Sequence, residues 1–216
     1  MYPIWDLWQR LIHWCFPVLL GLAWWTAETD RMQWHAYCGY CVLVLVIWRF
    51  VWGFVGSERA RFTQFLVGWR TVRAYLKAGR PATVGHNPLG AWSVMLMLVL
   101  LLLQAVSGLV NTDELFLQGP LVVFAHGAMV EWASQVHELS WHALQALVVL
   151  HIAVVSYHQW VKKDALITQM GFGKRLRRVP TSRPRLGLGL GVLLLIACGV
   201  IAVGLVLPEP DPLWVY

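Results

Sequence analysis

Five times along this chain, about twenty residues pass in succession with almost no charge: roughly 7 to 27, 34 to 55, 88 to 110, 136 to 160 and 186 to 207. A helix needs about 20 apolar residues to cross the hydrocarbon of a bilayer, and a spanning backbone must satisfy its own hydrogen bonds, so each run reads as a transmembrane helix. Composition agrees, since 58% of the 216 residues are hydrophobic, 13% are charged and 14 are Trp, which is too apolar for a soluble domain of this length. The expected fold is an all-α membrane protein: a four-helix transmembrane bundle followed by a fifth, C-terminal transmembrane helix. The first span lacks a basic leader and a small-residue cleavage site, and is expected to be retained.

Charge orients the bundle. Arg10, the run from Arg59 to Arg80 and the run from Lys162 to Arg185 fall on one side, leaving Arg31 on the other, and the basic side of a membrane protein is cytoplasmic. The opposite loops carry "AETD", "NTDEL" and "LPEPDP", so the N-terminus is expected inside and the C-terminus outside. The formal net charge of +6 reports this topology and an affinity for anionic lipid rather than for nucleic acid.

Between the spans, "SERARFTQFLVGWRTVRAYLKAGR" places Phe62, Phe65, Leu66, Trp69, Val72 and Leu76 at helical spacing among basic residues, the pattern of a helix lying on the membrane surface. Asn87 and Pro88 then form a helix start, an N-cap followed by a proline at the first helical position. The outer segment from Asn111 to Gln135 holds a short apolar piece with His126, Glu131 and Trp132, which is expected to pack over the outer mouth of the bundle. Cys15, Cys38, Cys41 and Cys198 lie within or at the ends of spans and read as buried thiols. No His follows Cys41 in "CGYC", so covalent haem attachment there is not supported. The last span holds several glycines and no charged side chain.

The histidines carry the chemistry, because an imidazole in hydrocarbon requires a partner. His137 and His151 are fourteen residues apart in "QVHELSWHALQALVVLHIAVVSYHQWVKKD", which puts them on one helix face about 21 Å apart along the axis. His13 lies near the cytoplasmic start of the first span and His35 near the outer start of the second. Two levels result: His13 with His151 inside, and His35 with His137 outside. Each pair can hold one flat haem by its two axial positions, as facing helices of a bundle often do for metals, whereas zinc would need a tetrahedral cluster at one depth.

Gly21, Gly39 and Gly108 are small residues suited to close approach of a macrocycle. Arg10 and Arg49 are suited to pairing with propionates of the inner haem. His142 points about 140° from His137 on a helical wheel and is expected to make a structural hydrogen bond. His158, beside Lys162 and Lys163, suits an interfacial or quinone-contacting role; His86 and His126 lie outside the spans.

With "WDLWQRLIHW", "HAYCGYCVLVLVIWRFVWGFVG", "GHNPLGAWSVMLMLVLLLLQAVSGL" and "VHELSWHALQALVVLHIAVVSYHQWVKKDAL" in its four leading spans, the chain resembles the bacterial cytochrome b561 and nickel-iron hydrogenase cytochrome b superfamily over approximately residues 5 to 178. The resemblance implies two haem b groups in a four-helix core, with ligand positions matching His13, His35, His137 and His151. It places a dihaem domain over residues 1–178 and leaves 179–216 as a basic linker, fifth helix and short periplasmic tail.

The resemblance further implies an electron-transfer subunit of the bacterial inner membrane, linking a periplasmic c-type cytochrome or dehydrogenase to the quinone pool of the respiratory chain, alone, as a homodimer or in a larger complex. Two readings stand beside it. A superoxide:quinone oxidoreductase would need a cationic outer entry, and the outer face offers Arg31 against several carboxylates. In a haem-free membrane anchor, the histidines would only bond between helices.

Overall fold

The computed structural model describes residues 5–78, 88–112, 118–173 and 186–206. It is mostly helical, with no strand among the described residues. The helices are α1 (Leu7–Glu28), α2 (Met32–Val55), α3 (Phe62–Phe65), α4 (Trp69–Ala78), α5 (Pro88–Leu109), α6 (Gly127–Trp160), α7 (Leu166–Phe172) and α8 (Leu186–Val206). Three of them, α2, α5 and α6, are long and apolar enough to cross a membrane. α5 starts at Pro88 as expected of a proline at the first helical position, while Asn87 and His86 lie outside the described residues, as do the basic run 174–185 and the acidic tail 207–216.

By Cα proximity the chain divides into two compact units. The first comprises Met1–His13, Arg49–Val99 and Gln145–Gly191, and the second comprises Trp14–Trp48, Leu100–Leu144 and Val192–Tyr216.

In the first unit Asp6 organises the start of α1. Its carboxylate accepts the backbone N–H of Gln9 at 2.8 Å, the cap that an exposed helix start requires. The same group accepts from Trp52 Nε1 at 3.0 Å and from the Ser57 hydroxyl, so one residue ties α1 to the end of α2 and the turn beyond it. Trp52 is fully buried. Most other tryptophans of the long helices, including Trp14, Trp25, Trp34, Trp132 and Trp160, are exposed, the placement of membrane-interface anchors.

The segment after α2 departs from the single surface helix its periodicity predicts. It forms a 3₁₀ turn at Glu58–Ala60 followed by α3 and α4, and the interruption has a local cause. Leu66 is extended (φ −74°, ψ 117°) and Gly68, two residues on, carries a high helix cost. Phe62 and Phe65 turn inward instead, packing with Ala91 and Leu98 of α5. Trp69 and Leu76 are exposed on α4, whereas Val72 is buried, so the amphipathic character persists in α4 alone.

α7 is pinned at both ends. At its start, Gln159 Oε1 accepts the Ile167 N–H at 3.0 Å. At its end, the Arg10 guanidinium donates to the carbonyls of Met170 (3.1 Å) and Gly171 (2.7 Å), groups that a helix C-terminus leaves unsatisfied. α8 approaches α1 closely at Gly189, where a Cβ would sit 2.4 Å from Trp8 Nε1; only glycine leaves that space.

In the second unit α6 is longer than its apolar run. It begins at Gly127, absorbing the piece with Glu131 and Trp132 that the sequence places over the bundle mouth, since no proline or glycine interrupts "AMVEWASQ". Asn111 fastens the junction between α5 and α6: its side-chain oxygen accepts from Thr112 N–H at 2.9 Å and Ser134 Oγ at 2.5 Å, and its carbonyl accepts from Gly119 N–H at 2.8 Å.

Candidate functional site

α1 and α6 bring His13 and His151 together in the first unit, with ring centroids 6.4 Å apart and ring planes at 51°. Of the two arginines expected nearby, Arg10 is spent largely on the end of α7. Arg49 is buried in the same unit, 5% exposed. Its Nη1 donates to the Ala60 carbonyl at 3.3 Å and its guanidinium carbon lies 5.1 Å from the Phe62 ring centroid, a cation–π contact. Its Nη2 is buried with no hydrogen-bond partner among the described residues. A buried guanidinium with a spare donor is costly unless an anionic oxygen meets it, so this atom marks a place for such a group.

The second unit holds the other pair. His35 of α2 and His137 of α6 have ring centroids 6.1 Å apart and ring planes at 72°. His35 Nδ1 lies 2.9 Å from the Ala23 carbonyl of α1. Because that oxygen only accepts, Nδ1 carries the proton and Nε2 keeps its lone pair, the orientation a metal-binding imidazole takes from an outer hydrogen bond.

His137 is fixed the same way from α5: its Nδ1 lies 3.0 Å from the Gln104 carbonyl and 3.2 Å from Ser107 Oγ. Gly108, one turn beyond Gln104, faces the ring as well, and a Cβ there would come within 3.1 Å of His137 Cε1. Gly108 thus makes room for the imidazole. At Gly21 and Gly39 a Cβ would meet nothing within 4 Å, which leaves open space beside these helices within the same unit.

These positions fit an iron porphyrin. An imidazole nitrogen sits about 2 Å from a first-row metal, so two imidazoles gripping one iron from opposite sides have centroids roughly 6 Å apart. Both pairs have that spacing. Among the described residues no group of three or more His, Cys, Asp and Glu converges, so a metal held by a cluster of protein ligands alone finds none there.

The remaining candidates fall elsewhere. His142 is exposed on α6, away from both histidine pairs. His126 is exposed just before α6. His158 pairs with Asp164, Nδ1 to Oδ2 at 2.8 Å, in a turn closed by positive φ at Lys163 (58°) and Ala165 (50°). The cysteines are free; Cys15, Cys41 and Cys198 are exposed on helix surfaces and Cys38 is partly so, which corrects the expectation of thiols buried in the protein. Sequence reasoning missed Gln104, Ser107 and Ser140 around His137. Their signal was a small polar group inside otherwise apolar helices.

A sequence model described as prokaryotic cytochrome b561 matches residues 4–173. No curated protein and no solved structure matches the chain. The family match spans all four candidate histidines and the helices that bear them. On these grounds the chain belongs to the prokaryotic cytochrome b561 family, bacterial membrane cytochromes that bind haem b and work in electron transfer.

Proposed function

We propose that this protein is a dihaem cytochrome b that carries electrons across the bacterial inner membrane between a periplasmic redox partner, a c-type cytochrome or dehydrogenase, and the quinone pool. The observation that carries the reading is the pairing of four histidines two by two, at 6.4 and 6.1 Å, with each pair drawn from two different helices. In this reading His13 and His151 hold an inner haem and His35 and His137 an outer one. α1, α2, α5 and α6 form the four-helix core of residues 1–178, and α8 is a fifth span, leaving the N-terminus cytoplasmic and the C-terminus periplasmic.

Bound haem supplies the one-electron chemistry, and the chain's own groups set the conditions for it. His13 with His151 and His35 with His137 would each hold a haem iron from two sides, and a haem so held would supply electron transfer rather than catalysis at the metal. The Ala23 and Gln104 carbonyls, accepting from the Nδ1 protons of His35 and His137, hold both rings in the ligating tautomer and raise their basicity. The spare Nη2 of Arg49 offers a charge-assisted bond to a propionate of the inner haem. Arg10, committed to α7, contributes by fixing the start of α1, one turn before His13.

The test is transfer between the two faces. Purified protein in liposomes with ubiquinone in the bilayer, given a membrane-impermeant reductant outside, should show haem reduction followed by quinol formation. Haem reduction that never passes to quinone would contradict the reading.

A further inference from the structure

One turn of α5 meets His137 at both ring nitrogens. Nδ1 faces the Gln104 carbonyl and Ser107 Oγ, while Nε2 lies 2.9 Å from Gln104 Nε2. One arrangement of protons satisfies both ring nitrogens of His137. The Ser140 hydroxyl donates to Gln104 Oε1, which turns the amide nitrogen toward the imidazole. That nitrogen only donates, so His137 Nε2 accepts, and the ring proton on Nδ1 goes to the Gln104 carbonyl. The nitrogen whose lone pair a metal needs is therefore the one that the Gln104 side chain caps.

We propose that Gln104 is a place-holder for His137: its side-chain amide occupies the coordinating nitrogen before cofactor arrives and gives it up to the iron, so this hydrogen bond tunes the haem affinity of the His35–His137 site. The proposal rests on the reading of His137 as a haem ligand. An imidazole with no partner inside a membrane protein is costly, and Gln104 satisfies it while the chain inserts and folds. The backbone bond from Nδ1 does not depend on the Gln104 side chain, so the ring stays aimed while the amide leaves. Gly108 is packed against Cε1, which blocks the ring from tilting toward α5. The amide is the group that moves, and its remaining bond to Ser140 decides how readily.

The experiment is a haemin titration of apoprotein purified in detergent from haem-depleted cells, followed in the Soret band, for wild type, Gln104→Leu, Ser140→Ala and His137→Ala. Gln104→Leu keeps the side chain's size and the backbone carbonyl but removes the amide. It should tighten the outer site by about fivefold, the worth of one neutral hydrogen bond, and leave the inner site unchanged as the control for folding. Its loaded form should keep the wild-type low-spin electron paramagnetic resonance signal of the outer haem, a readout that general loosening of the fold would shift. Ser140→Ala should act in the same direction by a smaller factor, and it decides the matter if Gln104→Leu fails to bind at the inner site. An outer site unchanged or weakened in the variants, with normal inner binding, overturns the proposal alone. Retention of both haems in His137→Ala overturns the ligand reading and the proposal with it.

Discussion

Among the described histidines, His13, His35, His137 and His151 differ from the rest in having a second imidazole about one iron-site width away. Replacing any one of them by Ala is expected to remove one haem per protein, counted by pyridine haemochromogen assay, whereas His142→Ala, at an exposed position on α6, should keep both. Arg49 gives a finer test. Arg49→Leu removes a buried positive charge, so the inner haem's midpoint potential should move to more negative values in a redox titration while the outer one stays where it is. A shift of both, or of neither, would separate Arg49 from the inner site. Asp6→Ala strips a helix cap and removes the carboxylate to which Trp52 Nε1 and the Ser57 hydroxyl both donate. Stability should fall by about 2–3 kcal/mol, read as a lower Tm with the haem count retained at permissive temperature.

Helices of this chain are positioned by a few polar contacts and by glycines at close approaches. Arg10→Ala is expected to fray the end of α7, seen as faster amide exchange over residues 166–173. Gly189→Leu would drive a side chain into the Trp8 indole and should raise protease sensitivity around α8 without lowering the haem count. What could be read beforehand at this scale followed from hydrocarbon thickness and periodicity, and the five apolar runs all became helices within a few residues of their expected ends, apart from α6. The start of α6 was misplaced because apolarity marks the membrane, not the helix, and this helix begins before its apolar run does. The break before α4 was hidden in a periodic pattern that Gly68 interrupts. The pairing of histidines was legible because an imidazole in a span is conspicuous and helical geometry is rigid. Gln104 was not, since uncharged polar side chains have many uses and which face of α5 meets His137 depends on packing that one chain's periodicity leaves open.

For the whole molecule, the family supplies haem b and electron transfer, and the proposed count of two haems rests on the two histidine pairs. Each pair lies within one of the two compact units, so perturbations of one site should leave the other able to load. The central claim is that four imidazoles make two six-coordinate haem sites, and the most direct measurement is the haem-to-protein ratio of intact purified material together with its low-spin electron paramagnetic resonance spectrum. The account predicts two haem b groups per chain, each with the signal of an iron held by two imidazoles. A single haem at full cofactor supply, or a high-spin iron with an open axial position, would contradict it.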